Sequence, residues 1–423
     1  MGDSFELTAL DLSFFSHLDC NSTARLNAGM KVKQQPGDFR VQELTEVRPG
    51  QTGDFAYYRL DKVGWTTPDA IRVVCGRWDL ESRRVSFGGL KDKHAETTQY
   101  FTIFRGPVRN LTQQGVAVNY LGQVAEPYGS QHIAANRFAI TIRHLTTSAE
   151  AVALDGVRQV TESGLPNYFD DQRFGSVGRD HGFVGKEMVF GRFEEALKLA
   201  LASPYEHDRA AQKREKETLR RHWGDWMACR AELPRGHARY LVEYLAVRPN
   251  DFRGAVARLR PELGGLYLAA YQSYLWNRIL DRWIRGAFPA DSLGEVSLRL
   301  GEFAVPLQVS PAVMGAWQTL TLPLPSARQK PSPEADWHTI TEAVLADEGL
   351  TLSTLKVPGL DKPFFSKGER PACIRPVGVR AEAGDDELNL GRRKLLLAFD
   401  LPRGCYATMF VKRITATRRP RGS

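Results

Sequence analysis

Gly88-Gly89-Leu90-Lys91-Asp92-Lys93-His94-Ala95-Glu96-Thr97-Thr98-Gln99 sets one carboxylate, Asp92, between two lysines. The preceding Arg84-Val85-Ser86-Phe87 alternates as a short strand does. The paired glycines permit a tight turn that backbone or substrate can approach closely. Thr97, Thr98 and Gln99 can pin such a loop through side-chain hydrogen bonds. A carboxylate at a strand end with cations on both sides is expected to keep its charge, and an ionised carboxylate is what nucleophilic catalysis needs. The same residue types also describe a lysine-flanked surface turn, so on their own they leave both readings open.

Further blocks lie on either side, in order. Lys33-Gln34-Gln35-Pro36-Gly37-Asp38-Phe39-Arg40-Val41-Gln42-Glu43 stands near the N-terminus. Asn136-Arg137-Phe138-Ala139-Ile140-Thr141-Ile142-Arg143 and Pro166-Asn167-Tyr168-Phe169-Asp170-Asp171-Gln172-Arg173-Phe174-Gly175 follow. Ala270-Tyr271-Gln272-Ser273-Tyr274-Leu275-Trp276-Asn277 comes next, and Leu401-Pro402-Arg403-Gly404-Cys405-Tyr406-Ala407-Thr408 stands near the end. Together with the Asp92 stretch, which is similar to G-x-K-D-[KR]-x-A-x-T-x-Q, these blocks resemble the tRNA pseudouridine synthase D (TruD) family. The resemblance runs from about residue 33 to 413. Several ordered blocks carry far more weight than any one short motif. Asp170 departs from the pattern, standing where the family usually has glycine.

The resemblance implies an α/β (α+β) fold. A pseudouridine synthase catalytic domain with a central antiparallel sheet is expected over residues 1–164. A mostly α-helical family-specific domain would be inserted at 165–372, and residues 373–423 would return to the catalytic domain and end in a basic tail. The two domains would form a V with the RNA in the cleft between them. The implied reaction isomerises a uridine of tRNA to pseudouridine, at position 13 in bacterial members, with no cofactor and no metal. Asp92 would be the catalytic carboxylate, attacking the sugar, attacking the base or assisting proton removal at C2′. Phe39, Asn136 and Tyr406 match positions that contact the target nucleotide, the aromatics by stacking and the amide by pairing with a uracil edge. The Tyr406 hydroxyl would either take part in removing the C5 proton or bond a water. Lys33 would sit beside Asp92 or hold a phosphate, Glu43 would be structural, and Arg173 would bridge the domains or bind RNA backbone.

Composition is compatible with this. The 423 residues allow two or three domains, and 42% hydrophobic residues support a substantial core. A net charge of +8 favours a polyanionic partner. The five cysteines, Cys20, Cys75, Cys229, Cys373 and Cys405, form no CxxC pair. They are expected to be free thiols in a reducing cytoplasm. Neither an export signal nor a membrane span is read from the chain, and a monomer is expected. Two other classes of function stay open at this level: an RNA-binding protein on a retained synthase scaffold, and a metal-dependent hydrolase using Asp92, for which clustered carboxylates are missing.

The pattern along the chain predicts strands at Phe39–Leu44, Asp54–Asp61, Arg84–Phe87, Tyr100–Phe104, Arg137–Arg143, Val296–Leu300, Gln318–Leu322, Lys394–Asp400 and Ala407–Lys412. Helices are predicted at Thr67–Trp78, with Thr67 as N-cap and Pro68 at the first position, and at Ala149–Ser163, Glu194–Leu201, His207–Trp223, Gly236–Ala246 and residues 335–348. Arg209, Lys213, Arg214, Lys216, Arg220 and Arg221 on one helical stretch, and Arg418, Arg419 and Arg421 in the tail, are candidates for RNA contact against the simpler reading of solvated charge.

Overall fold

The structure, a computed structural model, describes residues 29–417 except 179, 206, 207, 331 and 333. Cys20 and the tail arginines Arg418, Arg419 and Arg421 lie outside the described residues.

The short strand pattern before Asp92 belongs to a ten-stranded sheet. Its first strands are β1 (Lys31–Val32), β2 (Phe39–Thr45), β3 (Phe55–Lys62), β4 (Val85–Phe87), β5 (Glu96–Phe104), β6 (Leu111–Gln113), β7 (Val116–Val124) and β8 (Ile133–Leu145). A C-terminal hairpin, Val377–Asp385 and Arg393–Pro402, adds the last two, and its second strand pairs with β8. From the hairpin the order runs on through β8, β2, β5, β3, β7 and β6, with β1 on β8 and β4 on β5. The expected antiparallel sheet is in fact mixed, because β2 and β5 pair in parallel. That pairing is possible because the long connection between them, through β3 and the helix Thr67–Trp78, gives room for a crossover.

Alternation sorts the strands into two faces. In β2, Phe39, Val41 and Glu43 are buried while Arg40 and Gln42 are exposed. Register carries the buried face across, with Val41 opposite Phe138 and Thr97, and Tyr58 opposite Phe101. The helix Thr67–Trp78 covers this face over β3, β5 and β7 through Ile71, Val74 and Trp78. The helices Thr147–Ser163 and Ala407–Ile414 pack against one another beside the hairpin end. The cap of the first helix is Thr66 rather than Thr67. Its hydroxyl accepts from the Asp69 N–H at 3.2 Å, as an extended residue just before the helix should.

The larger correction concerns Ala407–Lys412, which is helix rather than strand. All eight residues of Ala407–Ile414 are buried. Its polar residues Thr408, Lys412 and Arg413 are buried with the apolar ones, so no solvent-facing side marks the helical period, and the short run with Val411 and Ile414 also reads as a strand. Gln318–Leu322 likewise splits into the end of a helix, Pro311–Thr319, and a short strand, Thr321–Pro323.

Between the two contributions to the sheet lies a mostly helical region. Leu165–Pro166 pairs antiparallel with Cys373–Ile374, so the chain enters and leaves that region side by side. Its central helix is Pro261–Ala287, 27 residues long. Asn277 on that helix takes both backbone groups of Phe169, accepting from its N–H and donating to its C=O at 2.8 Å each. Two of the sequence blocks are thereby locked together. One hydrophobic core runs without a break from Phe39 and Phe138 in the sheet to Trp276 and Leu345 in the helical region.

Candidate active site

Asp92 stands on the loop between β4 and β5. Gly88 makes the turn possible by close approach, since a Cβ there would lie 2.6 Å from Ile133 Cδ1. Thr67 and Gln99 hold the loop from below. The Lys91 N–H donates to the Thr67 hydroxyl at 3.0 Å, and that hydroxyl donates to Gln99 Oε1 at 2.7 Å. Gln99 in turn donates to the Gly89 carbonyl at 3.3 Å.

The cation on Asp92 is not a sequence neighbour. Lys33, whose φ of 63° lies in the left-handed region that L-residues seldom occupy, forms an ion pair with Asp92 Oδ2. The other oxygen accepts from the His94 N–H at 2.9 Å. Lys91 turns the opposite way, donating to Asn136 Oδ1 at 2.7 Å and meeting Glu43 Oε1 at 3.0 Å. Glu43 is fully buried, and its second oxygen accepts from the Tyr100 N–H at 3.1 Å.

Asp92 opens on a cavity of about 400 Å³ between the sheet and the helical region. Thr66, Pro68 and Leu90–Lys93 form one wall, Gln172, Arg173 and Leu266 the other, and Tyr406 closes it. Asp92 and Tyr406 thus share one chamber. Phe39 and Asn136 do not line it. Phe39 is 5% exposed, edge-on to Phe138, with the Lys33 ammonium 4.4 Å from its ring centre. Asn136 reaches the site through Lys91. Each is one contact removed from Asp92 or its neighbour. A larger concavity of about 530 Å³ lies on the open sheet face. Its arginines Arg40 and Arg137 are already paired, with Glu96 and Asp400, at 2.9 Å each.

Tyr406 is held by the turn before it. Arg370 donates to the Gly404 carbonyl at 3.0 Å and to the Asn167 carbonyl at 2.9 Å, while lying 4.1 Å over the Phe169 ring. Arg173 donates to the Ser273 hydroxyl at 3.0 Å. Among the described residues, no carboxylate pairs with Arg173 or Arg370. Beside Tyr406, burial pushes the Cys405 thiol up to about 11, which keeps it an inert thiol at neutral pH. Asp170, at φ −85° and ψ 171°, occupies ordinary extended backbone, so this position imposes no demand for glycine. Its carboxylate accepts from Lys412 at 2.7 Å and from the Thr408 hydroxyl, joining the Phe169–Gly175 block to the last helix.

Sequence reasoning missed Lys62 beneath the Asp92 loop. The signal was in the alternation of β3, where Ala56, Tyr58 and Leu60 face inward and Lys62 is next in step. The strand was expected to stop at Asp61. The four described cysteines are free thiols. No helix among the described residues is long and apolar enough to cross a membrane.

A family model described as tRNA pseudouridine synthase D (TruD) matches residues 18–414. A Methanococcus maripaludis protein assigned as tRNA pseudouridine synthase D 1 is 30% identical over 393 residues, covering 91% of this chain and 99% of its own length. The tRNA pseudouridine synthase D of Aquifex aeolicus is 28% identical, covering 91% and 98%. The crystal structure of the Methanosarcina mazei protein assigned to TruD superposes with a TM-score of 0.68 at 26% identity, over 91% of this chain and 93% of that one. The fold and its matches define a class of RNA-modifying isomerase, the pseudouridine synthases. Within that class, the chain belongs to the tRNA pseudouridine synthase D (TruD) family.

Proposed function

We propose that this chain isomerises one uridine of tRNA, at position 13, to pseudouridine, with Asp92 as the catalytic carboxylate and without cofactor or metal. The observation that carries the reading is the placement of Asp92: its carboxylate faces a chamber shared with Tyr406, with Lys33 and the His94 N–H fixing its two oxygens. The reaction breaks the N1–C1′ bond, turns the uracil, forms C5–C1′ and moves a proton from C5 to N1, so atoms balance without a co-reactant. A carboxylate can serve by attack on C1′, by attack on the base or by taking a proton from C2′. All three roles require the ionised oxygen at this place.

The uridine must leave its stack, at a cost of a few kcal/mol. Stacking on an aromatic face returns roughly 1–3 kcal/mol, and Tyr406 is the ring that borders the chamber. Arg173 and Lys93 on the chamber walls suit the phosphates on either side of an extruded nucleotide. The side-by-side strands Leu165–Pro166 and Cys373–Ile374 support domain boundaries at 164/165 and 372/373. A monomer acting in the cytoplasm completes this reading.

Tritium release from tRNA labelled at C5 of uridine, measured with EDTA present, tests the reading. Release continuing in EDTA, with pseudouridine mapped to position 13, is expected. Release abolished by EDTA contradicts the metal-free reaction, and a product mapped elsewhere contradicts the proposed position. Binding of tRNA without release contradicts the reading altogether and favours a binding protein on this scaffold.

A further inference from the structure

Lys62 is 1% exposed, at the end of β3 under the Asp92 loop. Its ammonium donates to the carbonyls of Trp65 at 2.8 Å, Asp92 at 2.8 Å and Lys91 at 3.3 Å. An ammonium has three protons, and here three carbonyls receive them. No carboxylate among the described residues forms an ion pair with it. Burying a charge is costly unless it is paired and hydrogen-bonded, and here the hydrogen bonds that offset that cost go to backbone carbonyls alone. These carbonyls belong to two segments that must be held together, the entry to the helix Thr67–Trp78 and the loop that carries Asp92.

We propose that Lys62 is a positioning residue for Asp92: its ammonium clips the backbone at Lys91 and Asp92 to β3 and so fixes where the Asp92 carboxylate stands in the chamber. The inference rests on the reading of Asp92 as the catalytic group. Lys62 touches no reacting atom and acts through the loop.

The clip has a built-in pH limit. Burial, with the nearby Lys91 charge adding to it, pulls the Lys62 ammonium down to about 7, while the Asp92 carboxylate opposes the fall. Lys33 is already ion-paired with the Asp92 carboxylate. The cross-strand neighbours Thr97 and Val116 carry no titratable group. A neutral amine has two protons for the three carbonyls. As pH rises through about 7, one backbone carbonyl therefore loses its donor and the loop loosens.

The test compares full-length wild type with Lys62→Met and Lys62→Gln in the tritium-release assay. The account predicts a kcat lower by roughly 100-fold, the scale set by a displaced catalytic group, with KM within about twofold of wild type. Wild-type kcat should fall as pH rises through about 7, and that fall should be absent from Lys62→Met. A measurement on the wild type alone covers the case in which a variant does not fold. Amide exchange of Lys91 and His94, corrected for its intrinsic pH dependence, should accelerate as pH rises through the same region. Variants turning over like wild type, losses confined to KM, or exchange protection that is flat across neutral pH would each overturn the proposal. A wild type that releases no tritium would instead remove the Asp92 reading, while the exchange profile would still decide whether Lys62 holds the loop.

Discussion

Asp92 gives each carboxylate oxygen a different partner, Lys33 on one and the His94 N–H on the other. Those partners leave the group facing the chamber in a fixed orientation, as catalysis by positioning requires. Tyr406 borders the same space as a flat apolar surface with a hydroxyl at its edge. If stacking is its contribution, Tyr406→Phe keeps kcat/KM near the wild-type value. Tyr406→Ala then loses roughly 1–3 kcal/mol of transition-state binding, about 5- to 160-fold in kcat/KM. Steady-state kinetics on labelled tRNA read both, and a large loss in Tyr406→Phe would instead give the hydroxyl a part in proton removal. The Asp92 motif was legible in the sequence, and Lys33 beside it was one of two readings open for that lysine. Lys91 and Lys93 were the cations next to it in the chain, but the ion pair comes from Lys33, 59 positions away. Lys62 was hidden for a similar reason, because what defines it is three carbonyls and no local motif marks them.

At the scale of elements, the C-terminal hairpin is tied to β8 by a buried charge network. Asp386 accepts from the His144 N–H at 2.8 Å and from Arg143 at 3.0 Å, and Arg143 also meets Asp38 at 2.9 Å. Burial pushes the Asp386 carboxyl up, but hydrogen bonds from His144, Asn389, Leu388 and Arg143 outweigh it and hold the group at about 2 instead of 3.8. The unfolded chain therefore takes up this proton first. Its stabilisation is fully present above about pH 4 and is lost as pH falls through about 2. Urea unfolding of wild type and Asp386→Asn is expected to show a stability gap at neutral pH that narrows across that acid window. A gap independent of pH would contradict the assignment. Strand Val377–Asp385 escaped prediction because it is a largely exposed edge strand with little apolar alternation to detect. The helix Ala407–Ile414 failed in the opposite way, being buried all round.

The whole molecule sets a sheet carrying Asp92 against a helical region carrying Arg173, with tRNA expected between them. A partner held through phosphates releases counterions, so its affinity falls steeply with salt. Arg173→Ala should weaken tRNA binding across sequences and reduce the log K against log salt slope by about 0.7–0.9, the value for one phosphate contact. An unchanged slope would confine Arg173 to its Ser273 hydrogen bond and its place over Phe169. Composition and pattern made two regions of different character legible. The return of residues 377–402 to the sheet was not, because strand order in a sheet is set by pairing between distant segments. Only the resemblance carried by the Leu401–Thr408 block pointed to it.

The most direct test of the central claim is tritium release from tRNA labelled at C5 of uridine, wild type against Asp92→Asn, with both proteins shown to bind tRNA. The account predicts release by wild type and none by Asp92→Asn, whose side chain keeps the shape but loses the charge that Lys33 holds in place. Equal release by the two proteins would contradict it and remove Asp92 from the centre of the reaction.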